Sequence, residues 1–283
     1  MKLPKIKSLF TWAGGKRKML KYHTPLLPQK IESYSEPFFG GGAMFLYIME
    51  NFAPTTVHIN DTNESIINIY RAIKDDPEAF CNAVDVFQSV YIPLDKQGRK
   101  DYYFKVRHQH AYDHETWSPD FSAAVLYFLM KTSFNGIWQI NANTNGRYGT
   151  PAGLLNHKDV VYDRDNVFAW HRLLQNVTIH SGDYSQCPTS DFNYFDPPYR
   201  DSFTTYSTAW NDDDTERLLT YVKSIDTNVM LCNRCDGSSF FDDRAGDLSI
   251  ARFPVTYTAG RRKKTEQGFE AKPATEILLY TPV

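Results

Sequence analysis

At 283 residues, with 42% hydrophobic and 15% aromatic side chains, the chain is long enough to bury a full core as one large domain with an insertion. No apolar run approaches the roughly 20 residues that span a bilayer, and the opening MKLPKIKSLFTW lacks the apolar stretch of a secretory signal, so a cytoplasmic protein without a membrane partner is expected. The net charge of −2 does not by itself mark a nucleic-acid binder, but Lys2, Lys5, Lys7, Lys16, Arg17, Lys18 and Lys21 precede Gln29 with no acid among them, and Arg261-Arg262-Lys263-Lys264 forms a second basic run.

In chain order, residues 34 to 49 read as a strand that enters a triple-glycine turn, Gly40 to Gly42, and continues as a helix. Val57 to Asp61 is a short apolar strand ending in an acid. The helical pattern of SIINIYRAI follows it, and the two units make a βαβ arrangement. From 75 to about 160 the alternation gives way to aromatic-rich helical stretches and an Asn-rich segment from Gln139 to Tyr148, which we read as an inserted module. Alternation resumes with VTIHSGD, DFNYFDPPY, a helix over 212–224, the strand NVMLCN and a last strand TEILLY. Asn211 followed by three aspartates is a natural N-cap and acidic first turn for that helix. The fold class is therefore α/β with an insertion.

Four cysteines, at 81, 187, 232 and 235, are too few and too unevenly spaced for a disulfide framework, so reduced thiols are expected. Cys232 and Cys235 have the spacing of a redox or half-zinc motif, but no second pair accompanies them, and no metal site is assigned. His108, His110 and His114 lie in a mixed polar stretch and read as surface residues.

The chemistry concentrates at Asp196-Pro197-Pro198-Tyr199. A strand ending in Asp196 delivers a carboxylate to the C-terminal edge of a sheet, where open α/β folds bind ligands. The two prolines stiffen the turn and have no N–H to donate, so its carbonyls are left as acceptors. Asp196 and one such carbonyl match the two N–H bonds of an exocyclic amine, and Tyr199 offers a face for a base. Adenine's amine is a poor nucleophile because its lone pair is delocalised; accepting both N–H bonds frees that pair to attack a methyl sulfonium, a catalysis of positioning and electrostatics. Alone, the same four residues are also an ordinary turn after a strand.

The loop from Glu36 to Gly42 brings backbone close to a ligand but lacks the Gly-Lys-Ser/Thr ending of a triphosphate loop, which favours a nucleoside without phosphates. Asp61, about 20 residues downstream, is placed to accept from ribose hydroxyls, although an acid there can also cap a helix.

In their order these motifs resemble the Dam-like (class alpha, D12 type) DNA adenine-N6 methyltransferases: Trp12-Ala-Gly-Gly-Lys16, the Glu36–Gly42 loop, Asp61, an insertion, and Asp196 to Tyr199. The resemblance spans nearly the whole chain. It implies a Rossmann-like S-adenosylmethionine-dependent methyltransferase sheet with an inserted, mainly helical target-recognition domain, residues 75–159, between catalytic segments 1–74 and 160–283. It also implies site-specific transfer of methyl from S-adenosylmethionine to a flipped-out adenine of double-stranded DNA. By the same resemblance Asp196, Pro197 and Tyr199 are catalytic, and Trp12, Lys16, Phe38, Gly40, Asp61, Asp183, Tyr184 and Asp196 line the cofactor. Residues 131–153 resemble a recognition hairpin, so Thr11, Asn135, Gln139 and Asn141 are assigned to DNA, and the basic run at 261–264 adds Arg261 and Arg262 as candidate phosphate contacts.

Two departures stand out. The GATC-reading members carry Lys before the tryptophan and Arg on the hairpin, where this chain has Thr11 and Gln139. Lys and Arg suit guanine and Gln suits adenine, so a recognition site other than GATC, or a looser one, is predicted. The competing readings are an RNA-base or protein-glutamine methyltransferase and a DNA-binding protein without catalysis. A monomer in a bacterial or phage-infected cell is expected, with any restriction enzyme a separate chain.

Overall fold

The computed structural model describes residues 6–282 apart from 13, 137, 201–209, 258–262, 266–267 and 271. After a 3-10 turn at Lys16–Lys18 come α1 (Leu20–His23), β1 (Ser33–Glu36), α2 (Ala43–Asn51), β2 (Thr56–Asp61) and α3 (Glu64–Asp75). The helices α4 (Pro77–Tyr91), α5 (Lys96–Tyr112), α6 (Pro119–Thr132) and α7 (Arg164–Leu174) follow. The chain then runs through β3 (Val177–Ser181), β4 (Phe192–Phe195), α8 (Asp212–Lys223), β5 (Asn228–Cys235), β6 (Ser249–Tyr257), β7 (Lys263–Thr265), β8 (Gly268–Glu270) and β9 (Lys272–Tyr280).

Seven strands form one sheet in the order β3-β2-β1-β4-β5-β9-β6; β7 and β8 pair separately. The first five strands are mutually parallel, and β9 runs antiparallel to both β5 and β6. The chain winds outward from β1 to β2 and β3, and then restarts beside β1 with β4, where Tyr34 pairs with Phe192 and Ser35 with Asn193. That reversal opens a crevice at the C-terminal ends of β1 and β4, the usual ligand position in such sheets. All four residues of β4 are buried, as a central parallel strand covered on both faces requires.

Local signals explain most helix starts. Asn63, Asp76, Asp95, Ser118 and Asp163 each accept an amide N–H of the first turn of α3 to α7 in succession. The expected cap of α8 is a full capping box, with Asn211 and Asp214 exchanging side-chain-to-backbone bonds. The buried faces of α2 to α7 meet one flank of the sheet around Tyr34, Phe45, Ile59, Tyr70, Phe128 and Trp170, with Trp170 stacked on Phe45 at 5.5 Å. A second cluster joins Leu218, Leu219 and Val222 of α8 to Val229, Leu231, Ile277 and Leu279. Each such side chain contributes about 1.5–3 kcal/mol relative to an exposed one.

Several elements depart from the sequence reading. Strand β6 and helix α7 were not anticipated, and α5 is a full helix whose inward stripe is Arg99, Tyr103, Val106, His110 and Ala111. His110, expected at the surface, is 5% exposed, whereas His108 is exposed and His114 half-buried. Burial, reinforced by the neighbouring charges of His114 and Arg147, lowers the His110 pKa to about 4. Among the described residues no helix is long and apolar enough to cross a membrane.

Candidate active site

Asp196 is the first residue beyond β4, so the strand carries its carboxylate to the crevice edge. The 3-10 turn at Lys16–Lys18 places Lys16 against it: Nζ lies 2.6 Å from Asp196 Oδ1, with side chains 4% and 19% exposed. The same ammonium donates to the Gly14 carbonyl at 2.7 Å and sits 4.7 Å from the centroid of the Tyr199 ring. Burial raises the Asp196 pKa to about 6, although the Lys16 charge pulls the other way. For Lys16, burial acts to lower the pKa, but the carboxylates of Asp196 and Glu276 outweigh it and leave it raised. Near neutral pH the pair is therefore ionised.

The Tyr199 hydroxyl donates to Glu276 Oε2 at 2.5 Å. Glu276 is 4% exposed on β9, between Arg234 of β5 and Phe253 of β6 in register. The sequence reading placed the strand but overlooked this acid; the available signal was a lone carboxylate inside TEILLY, an otherwise apolar strand. Beneath the pair, Tyr194 links His23 Nδ1 at 3.2 Å to Cys232 Sγ at 3.1 Å. Cys232 thus belongs to a buried polar chain. Among the described residues no group of three or more His, Cys, Asp or Glu could hold a metal ion.

Across the crevice the end of β2 holds the glycine loop. Asp61 accepts from Gly40 N at 2.8 Å and Asn63 N at 2.9 Å, the Asn60 amide donates to the Pro37 carbonyl, and Tyr70 donates to the Gly40 carbonyl at 2.9 Å. Burial lifts the Asp61 pKa to about 6 in spite of the two amide donors. Gly40 has φ +48°, and a Cβ there would lie 2.5 Å from Trp12 Nε1, so only glycine lets the indole close over the loop. Trp12, Gly40 and Asp61 therefore form one unit.

Phe38 continues this wall, stacked on Tyr184 at 5.4 Å and meeting Trp210 edge-on at 5.8 Å. Asp183 is gripped by both Arg217 nitrogens at 2.8 Å and accepts from Ser185 N at 3.0 Å. The Arg217 hydrogen bonds hold its pKa down at about 2. The hydroxyl of Tyr184, a residue 3% exposed, has no partner among the described residues.

The segment assigned to DNA meets this site through its first residues. Thr11 is exposed and seats against Gly136, where an added Cβ would lie 2.6 Å from its own, and Trp12 approaches Trp138 at 6.0 Å. Asn135 is exposed with φ +53°, Gln139 is half-buried, and Asn141 faces inward, donating to the Gly149 carbonyl at 3.1 Å and accepting from Thr144 at 3.3 Å. Arg261 and Arg262 lie outside the described residues. Sequence reasoning also missed what braces this segment. From α5, Arg107 donates to the carbonyls of Gly149 and Thr150 at 2.9 and 3.0 Å, Tyr103 to Thr150 at 2.8 Å, and Arg99 to Leu155 and His157 at 3.0 and 2.6 Å.

Comparison with known proteins gives a consistent picture. The family model of the D12 class N6 adenine-specific DNA methyltransferases matches residues 12–251. The chain is 31% identical to the Type II methyltransferase M.MjaIII of Methanocaldococcus jannaschii over 81% of this chain and 84% of that protein. It is 29% identical to the Type II methyltransferase M1.LlaDCHI of Lactococcus lactis subsp. cremoris, covering 90% and 89%. Against the retron Ec67 DNA adenine methylase of Escherichia coli it is 26% identical, covering 96% and 90%.

Proposed function

The chain belongs to the D12 class of N6 adenine-specific DNA methyltransferases, and we propose that it takes S-adenosylmethionine in the crevice between β1 and β4 and holds its target amine on Asp196. The observation that carries this reading is the pairing of β1 with β4, which sets the Glu36–Gly42 loop and the Asp196–Tyr199 turn side by side on one sheet edge. The residues present suit a nucleoside cofactor. An aromatic wall of Phe38, Tyr184 and Trp210, the orphaned Tyr184 hydroxyl, and Asp61 beneath a glycine pressed against Trp12 suit an adenosine, and Lys16 suits a carboxylate.

When bound, the cofactor supplies an electrophilic methyl on a sulfonium. Asp196 and a carbonyl of the Pro197–Pro198 turn accept the two N–H bonds of the adenine amine, which localises the nitrogen lone pair towards that methyl. With a pKa of about 6, Asp196 is the anion this requires at pH 7.5. Tyr199 gives the base a face to stack on. The adenine is paired inside a duplex, so it must first be extruded, at a cost of a few kcal/mol.

Residues 75–159 act as the target-recognition domain, with Thr11, Asn135 and Gln139 presented to the bases and Asn141 bracing the loop behind them. Arg261 and Arg262 are assigned to phosphates. The enzyme acts as a cytoplasmic monomer. Sequencing of methylated adenines after expression in a host without its own adenine methylase tests the choice of site. The expected result is N6-methyladenine at a motif other than GATC, or at GATC together with related sites. Modification confined to GATC would remove the roles given to Thr11 and Gln139.

A further inference from the structure

Glu276 is the single acid of β9, and it is nine-tenths buried in a strand paired on both sides. A carboxylate is kept in such a place only where donors hold it. The Tyr199 hydroxyl is one such donor, at 2.5 Å. The prolines before Tyr199 restrict the backbone of the turn, but they leave the ring free to rotate about its own side-chain torsions. Tethering the phenol oxygen to a strand paired on both sides removes that freedom. The ring is then fixed at its Cα by the turn and at its hydroxyl by β9, with the Lys16 ammonium 4.7 Å from its centroid.

We propose that Glu276 is a positioning residue which sets the plane of the Tyr199 ring, so that a base entering beside Asp196 meets a platform already oriented. This rests on the reading of Asp196 to Tyr199 as the amine-holding turn. Glu276 touches no reacting atom; it acts on the rate through Tyr199, by removing motion that would otherwise have to be frozen in the transition state. The carboxylate is needed as an acceptor, and an amide oxygen at the same place can serve.

The experiment is a double-mutant cycle on the full-length enzyme with Glu276→Ala, Glu276→Gln, Tyr199→Phe and Tyr199→Phe/Glu276→Ala. Single-turnover methylation is measured at saturating S-adenosylmethionine, and extrusion of the target base is followed by 2-aminopurine fluorescence. Glu276→Ala and Tyr199→Phe should each slow methyl transfer about tenfold and weaken the fluorescence signal, and the double variant should be no slower than either, since both remove one contact. Glu276→Gln should stay within about threefold of wild type, and the cofactor Kd should not move in Tyr199→Phe, which leaves the charge of Glu276 in place. A wild-type rate in Glu276→Ala, or a double variant slowed by the product of the single effects, overturns the proposal. If Glu276→Ala does not fold, Tyr199→Phe must still show the loss and Glu276→Gln must still be spared; the opposite pattern overturns it. Failure of the wild-type enzyme to methylate any duplex would instead refute the amine-holding reading, so the two failures are distinct.

Discussion

Replacing Lys16 by methionine keeps the unbranched side chain to within one atom of its length and removes the ammonium that faces Asp196 at 2.6 Å. Breaking a buried pair by deleting one partner costs roughly 3–5 kcal/mol, because the remaining charge is left without compensation. With Asp196 still 19% exposed, the low end of that range is expected for stability. The carboxylate can escape part of the penalty by taking up a proton, so its pKa should climb above the present value of about 6. One to two pH units of that climb correspond to about 1.4–2.7 kcal/mol. A protonated Asp196 is a weaker acceptor for its share of the amine's two N–H bonds. The assay is single-turnover methyl transfer at saturating cofactor between pH 5.5 and 9.5. The wild-type acid limb should have its midpoint at or below about pH 6, and the limb of Lys16→Met should lie higher by roughly one to two pH units, with activity regained at high pH. Superimposable limbs in the two proteins would refute the claim that Lys16 keeps Asp196 ionised.

The other expectations concern binding, stability and selectivity. Asp61→Ala removes the acceptor for Gly40 N and Asn63 N; calorimetry should show cofactor affinity down by at least about tenfold, while DNA affinity is retained. His110 has a folded pKa of about 4 against an ordinary 6.5, so its contribution to stability is present above pH 6.5 and is lost as the pH falls towards about 4. Its ring Nδ1 has no partner among the described residues, so His110→Leu should match wild type at pH 7.5 in urea unfolding and exceed it by about 2 kcal/mol at pH 5; an unchanged difference between the two pH values would count against the buried neutral imidazole. Arg107→Ala frees the carbonyls of Gly149 and Thr150. Methylation at near-cognate sites should then rise several-fold relative to the preferred site, as about 1–3 kcal/mol of base discrimination is blurred; an unaltered ratio would confine Arg107 to stability.

The crevice was legible because its parts obey local rules. The strand ending at Glu36, the triple glycine, the acid closing β2 and the capping box of α8 each follow from backbone or capping chemistry within a few residues. Helix α5 was not legible, because its inward stripe is built from Arg99, Tyr103 and His110, so hydrophobic periodicity says nothing there; the carbonyls of residues 149 to 157 that pay for its burial are remote in sequence. His110 was misjudged for the same reason. Glu276 was visible as an odd letter in an apolar strand, but only the antiparallel insertion of β9 between β5 and β6 turns it towards Tyr199. The partnership of Lys16 and Asp196 likewise depends on tertiary placement, since 180 positions separate them in the chain.

The role of Asp196 is decided by transfer of a labelled methyl group from S-adenosylmethionine to duplex DNA, compared between the wild-type protein and Asp196→Ala. The wild type should place the label on adenine N6 in DNA. Asp196→Ala should bind cofactor and DNA but lose at least about 10²–10³ in rate, the range for removing one electrostatic group aimed at the reacting atom. Methyl transfer that persists in Asp196→Ala at the wild-type rate would show that Asp196 does not hold the reacting amine.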